Sequence, residues 1–244
     1  MKPGTLVKIL AGAGAYALGL YLFNFFPPLP SNFRPATALV PGLGLFWGGA
    51  GAIAAALGNF LFDLRDEIDL GTPLGILGNL VFAYLPFRVA QRLPGFSARP
   101  KLSTRWIIRY LYLALLGAAG CGTVIGFGLE GPRLAAFAVR GVGITLNNFI
   151  TAGLLGWLPL LLAGAFERRG WASPPESWSD SPRKKLGFGM MMIGLLLAFT
   201  LGALTSAGLI PSLADYGVGP TLAPAAAPIM VPGMVLFLIG LILM

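Results

Sequence analysis

The chain has 244 residues, of which 56% are hydrophobic and 11% charged, with a formal net charge of +8, no His and one Cys. Soluble domains carry about a quarter charged residues, so this composition excludes an ordinary water-soluble enzyme and a disordered chain. With no His and only Cys121, disulfides, haem or Cys/His zinc ligation, imidazole-bound nickel and Ser-His-Asp chemistry are excluded as well.

The mean hydropathy is +0.80, and the 35 Gly and 20 Pro sit largely inside apolar stretches. Long apolar runs point to an all-α, polytopic membrane bundle, since a barrel would alternate in short segments. We expect no cofactor, no metal site and no enzymatic activity. The basic residues cluster beside apolar spans, which suits anionic lipid at the membrane surface and argues against nucleic acid.

In chain order, residues 5–26 are predicted to form the first crossing. Lys2 and Lys8 ahead of it resemble a signal peptide, but the run reaches the roughly 20 residues that a span needs. No small-x-small cleavage site follows, so an uncleaved helix is expected. Within it, Ala11 pairs with Ala15, Ala13 with Ala17, and Ala15 with Gly19 at small-xxx-small spacing. Ala11, Gly12, Ala15 and Gly19 are therefore candidates for docking a second membrane subunit, or equally for packing within the chain.

The next apolar tract, 36–63, is long enough for one helix or for two short ones hinged near Trp47-Gly48-Gly49. Further crossings are predicted at 72–90, 104–128, 134–165, 187–209 and 228–244. Residues 88–109 carry six basic and no acidic side chains, and 167–185 carry Arg168, Arg169, Arg183, Lys184 and Lys185. The positive-inside rule places both loops and both termini in the cytoplasm, and the 210–227 loop with Asp215 outside. Parity then requires 36–63 to turn back on itself, giving eight membrane segments. Each half, 36–49 and 50–63, would be only about 20 Å long as helix, a length suited to the wall of a cavity.

Polar groups at membrane depth are costly and mark candidate sites. Asn59 and Asp63 share a helical face. Asn79 follows in Gly78-Asn79-Leu80-Val81-Phe82, an echo of Gly58-Asn59-Phe60-Leu61-Phe62 that would set two amides alike on consecutive helices. Arg140 and Asn147 share another face, Asn148 is adjacent, and Trp47 occupies the hinge. Together these seven residues are the candidate ligand-binding set. Each also has a structural reading: Asp63 as a solvated helix end, Arg140 snorkelling to headgroups, Trp47 as an interface anchor, the amides as interhelical glue. Asn147 and Asn148 point most strongly to a ligand, because two adjacent amides cannot both face one neighbouring helix. The acidic run Asp63, Asp66, Glu67 and Asp69 could recruit a hard cation for lipid chemistry, but the interleaved Arg65 favours a solvated turn.

The small-residue first helix, Phe26-Pro27-Pro28-Leu29-Pro30, Pro41-Gly42-Leu43-Gly44-Leu45-Phe46-Trp47-Gly48-Gly49-Ala50-Gly51-Ala52, Gly58-Asn59-Phe60-Leu61-Phe62-Asp63, Gly78-Asn79 and Tyr84-Leu85-Pro86-Phe87 resemble the substrate-binding component of energy-coupling factor transporters. The resemblance covers roughly residues 1–168. It implies a six-helix core that captures a vitamin-like nutrient, small, polar or anionic, beneath a lid at 27–35. It also implies docking through the first helix onto a transmembrane coupling subunit driven by ATPases in trans. No P-loop run occurs in this chain. The expected organisation is a core at 1–168, a cytoplasmic loop at 169–186 and two additional spans in 187–244. A structural or assembly subunit of another membrane complex is the alternative.

Overall fold

The computed structural model describes residues 3–24, 33–65, 68–101, 103–132, 134–171, 181–211 and 226–244. Most of the expected lid, much of the 169–186 loop, and Asp66, Glu67 and Asp215 lie outside these residues. Among the described residues the chain is all-helical. The α-helices are α1 (Pro3–Asn24), α2 (Leu39–Trp47), α3 (Gly49–Asp63), α4 (Gly71–Ala90), α5 (Thr104–Glu130), α6 (Phe137–Leu155), α7 (Ala163–Arg168), α8 (Pro182–Ser206) and α9 (Ala227–Leu243). Short 3-10 turns at Pro35–Ala38 and Pro159–Leu162 lead into α2 and α7.

Four of these helices, α1, α4, α5 and α8, are long and apolar enough to cross a bilayer, and the α6–α7 pair makes a fifth if counted as one bent span. Residues 35–47, 49–63 and 227–243 are apolar but shorter. The chain divides by packing into two compact units: Met1–Cys121 with Leu146–Trp178, and Gly122–Thr145 with Ser179–Met244. The boundary between the units falls within α5, at Cys121/Gly122, and within α6, at Thr145/Leu146.

In the first unit, the 36–63 tract breaks within the expected hinge. Gly48 caps the C-terminus of α2 and the N-terminus of α3 at φ +59°, a left-handed conformation that a side chain would strain. The tract folds back there, and a Cβ on Gly51 would collide with the Leu43 carbonyl. Gly44 is needed for a different reason: a Cβ there would meet the backbone carbonyl of Ala83, so α2 and α4 touch main chain to main chain. The face of α3 that carries Gly58 sits against Ala13 and Tyr16 of α1 in the same way.

The expected single crossing at 134–165 is instead bent by 45° between α6 and the Pro159–Arg168 segment. Pro159 lacks an N–H and disfavours helical backbone before it. Gly156 leaves room for the Tyr110 hydroxyl and the Ala38 carbonyl. That hydroxyl donates to the Ala152 carbonyl at 2.8 Å.

In the second unit, α8 and α9 form an antiparallel pair held by glycines. Gly194 faces the Gly233–Phe237 backbone, Gly233 faces Ala198, and Gly187 and Gly240 oppose each other. At one end of this unit Glu130 is buried. Its carboxylate accepts from the amide of Phe137, from the Ser206 hydroxyl at 3.4 Å and from the amide of Ala226 at 3.1 Å. Ser206 also accepts from the amide of Ala138 at 3.0 Å. Thus one carboxylate and one hydroxyl satisfy amides at the N-termini of α6 and α9, where negative charge is favoured.

Candidate functional site

Two polar clusters occupy the first unit. The first is a hydrogen-bond chain across α1, α4 and α3. The Tyr16 hydroxyl donates to Asn79 Oδ1 at 2.9 Å, Asn79 Nδ2 donates to Asn59 Oδ1 at 3.1 Å, and Asn59 Nδ2 donates to Asp63 Oδ2 at 2.7 Å. Asn79 Nδ2 also reaches the Gly75 carbonyl at 2.9 Å. Tyr16, Asn59 and Asn79 are buried, and Asp63 is half-buried. Gly75 makes room for the cluster, since a Cβ there would lie 2.7 Å from Asn59 Nδ2. Asn79 spends both donors and its acceptor on protein, so it braces the chain. Asn59 keeps one amide proton to offer.

The second cluster joins the start of α2 to α6 and α5. Asn147 Nδ2 donates to Asn148 Oδ1 at 3.2 Å, and Asn147 Oδ1 accepts from the Arg34 backbone amide at 3.3 Å. Asn148 Nδ2 reaches Cys121 Sγ at 3.4 Å. A thiol is a weak acceptor, so this buried amide is poorly served by the protein alone. Thr37 and Thr151 share a hydroxyl–hydroxyl bond of 2.8 Å beside it. Each hydroxyl has one proton, so one of the two donates to the other, and the accepting one donates to its own carbonyl, that of Arg34 at 2.8 Å from Thr37 or that of Asn147 at 2.9 Å from Thr151. Adjacent amides thus reach two different elements.

The two clusters are linked through Arg34, whose amide meets Asn147 and whose guanidinium stands near Phe62, the residue before Asp63. The Arg34 guanidinium stands 5.8 Å from the centroid of the Phe62 ring, and Arg65 stands over the same ring at 4.8 Å. Two exposed cations thus flank the Phe62 ring next to the Asp63 end of the Tyr16–Asn79–Asn59–Asp63 chain. Such a set suits a small polar ligand with an anionic group.

Of the seven candidate ligand residues, five, namely Asn59, Asp63, Asn79, Asn147 and Asn148, belong to these clusters. Trp47 does not: it is buried between Gly12 and Phe166, the latter ring 5.8 Å away and edge-on, and its Nε1 makes no hydrogen bond among the described residues. Arg140 is exposed and belongs to the second unit. Tyr16, Arg34, Thr37, Cys121 and Thr151 complete the clusters and were not singled out from sequence.

The small residues of α1 divide between two faces. Gly12 is buried against Trp47 and Ala54, and Gly19 packs towards Ala36 and Leu39. Ala11 and Ala15 are exposed, with Gly14 and Leu18 beside them. Among the described residues, no group of three His, Cys, Asp or Glu could hold a metal ion. No family model, no characterised protein and no solved structure matches the chain.

Proposed function

We propose that this chain is a membrane-embedded binding subunit for a small polar or anionic nutrient, of the energy-coupling factor type, and that it binds without catalysing. The observation that supports the reading is a pair of polar clusters linked through Arg34, in a chain otherwise short of polar groups. Interhelical glue alone accounts for Asn79, whose groups are saturated. It accounts poorly for Asn148, whose side-chain N–H meets a thiol. In this reading Arg34 pairs with the ligand's anionic group, the role first assigned to Arg140, while Asn148, Asn147, Asn59 and Asp63 orient the remainder.

Transport then needs partners. The exposed strip Ala11, Gly14 and Ala15 offers close backbone approach to a coupling subunit, with ATPases in trans. Both termini would lie in the cytoplasm of a cell-membrane protein, as the basic loops imply. The structural or assembly alternative uses the same strip but requires no ligand.

The test is extraction of small molecules from protein purified out of its native membrane, with identification by mass spectrometry. One compound near one-to-one stoichiometry is expected, lost by more than about tenfold in Arg34→Gln and Asn148→Ala. Wild type and both variants carrying the same traces, while a large partner without ATPases co-purifies, would favour the assembly reading instead.

A further inference from the structure

The first unit holds a second arrangement of charge, apart from the two polar clusters. Residues 91–101 are tied onto α5 at Pro94 and Ser97. Trp106 Nε1 donates to the Ser97 carbonyl at 2.9 Å, Arg109 Nη1 donates to the Pro94 carbonyl at 2.7 Å, and the Arg99 amide donates to Ser97 Oγ at 3.1 Å. Phe96, Trp106 and Tyr110 stack in sequence at 6.2 and 5.2 Å. This loop holds Arg99 over Gly164 of α7. The Arg99 guanidinium carbon lies 3.6 Å, and Arg168 Nη1 3.7 Å, from where a Cβ on Gly164 would stand.

Two guanidinium groups thus share one bare patch of helix backbone. Like charges held this close favour an anion between them, and paired guanidiniums match the oxygens of a phosphate. Residues 88–109 contribute no carboxylate, and 159–171 contribute only Glu167. In the segment that leads into and out of α7, Leu158, Leu161 and Leu162 are 44%, 55% and 56% exposed, and Trp171 is 44% exposed. A charged seat next to exposed leucines and an interfacial tryptophan fits a molecule with a phosphate head and hydrocarbon tails.

We propose that Arg99 and Arg168 clamp the phosphate of an anionic phospholipid across Gly164, with its acyl chains along Leu158, Leu161 and Leu162. The clamp is independent of the nutrient-binding reading. It also differs from general attraction of basic loops to the membrane, because it names two arginines among many.

The test uses the full-length protein in detergent, mixed with equal amounts of phosphatidylglycerol and phosphatidylcholine, with retained lipid read by native mass spectrometry. The wild type should retain phosphatidylglycerol about tenfold over phosphatidylcholine. Arg99→Gln with Arg168→Gln should lose that preference. Arg105→Gln with Arg169→Gln removes the same charge and should keep it. Gly164→Asp should abolish retention with every arginine in place, because its carboxylate would occupy the clamp. Equal loss in the two double variants, or full retention by Gly164→Asp, would overturn the proposal. Inorganic phosphate displacing nothing supports the lipid, whereas wild type that binds inorganic phosphate but shows no phospholipid preference contradicts it.

Discussion

The α1–α3–α4 packing and the α8–α9 pair solve one problem in two ways. Both bring helix backbones into contact through glycines: Gly44 and Gly58 in the first, Gly187, Gly194, Gly233 and Gly240 in the second. The first adds side-chain amides and a tyrosine hydroxyl along its seam, whereas the polar tie of the second is Glu130 at one end, joining Ser206 to the Ala226 amide. Along the α8–α9 contact, from Gly187 to Gly202, the close approach is made by small residues, consistent with van der Waals packing as the main attraction in lipid. The polar chain beneath Asn79 is therefore more than packing requires, and that excess is the physical argument for a binding site.

The largest test of this comparison removes the glycine contacts. Gly44→Val and Gly240→Val should each cost about 3 kcal/mol in unfolding from mixed micelles, because the new side chain meets main chain that cannot move aside. Gly240→Val should leave ligand affinity of the folded fraction unchanged. A milder loss at Gly44 than at Gly240 would show that α2 and α4 can part, which a rigid cavity wall should not allow.

Asn79→Leu sharpens the contrast. It strands the Tyr16 hydroxyl, Asn59 Oδ1 and the Gly75 carbonyl, and should cost about 2 kcal/mol, above the average for a membrane hydrogen bond. Unlike Gly240→Val it should also weaken ligand binding, since Asn59 and Tyr16 lose their orientation. In the second unit, Glu130→Gln presents an N–H where backbone amides now donate, and should cost about 1 kcal/mol without touching affinity. The smallest effect is expected at Gly14→Ala, where a Cβ meets nothing within 4 Å. Stability should hold within about 0.5 kcal/mol, while assembly with a coupling subunit should fall if this face docks it.

The hinge at Gly48 was legible because Trp47-Gly48-Gly49 interrupts a tract too long for one short helix. The bond between Asn59 and Asn79 was foreshadowed by the twenty-residue echo, since matched positions on consecutive helices can meet. Tyr16 was not legible: one aromatic in a small-residue helix reads as packing until its hydroxyl has a partner three helices away in sequence order. Arg34 hid in a Pro-rich connection, and its approach to Asn147 depends on a contact 113 residues apart. The bend after Leu155 could have been found from Gly156 and Pro159, and the α8–α9 seam from glycines seven apart in each helix. Trp47 and Arg140 were singled out by depth in the sequence, which says nothing about the direction a side chain faces.

Cys121 provides the most direct measurement, as the sole thiol in the chain and a neighbour of Asn148 at the centre of the proposed site. Its rate of alkylation by N-ethylmaleimide in native membranes can be followed with and without the compound recovered from the purified protein. The account predicts at least about tenfold protection at saturation, lost in Arg34→Gln. An alkylation rate unchanged by saturating compound would contradict it.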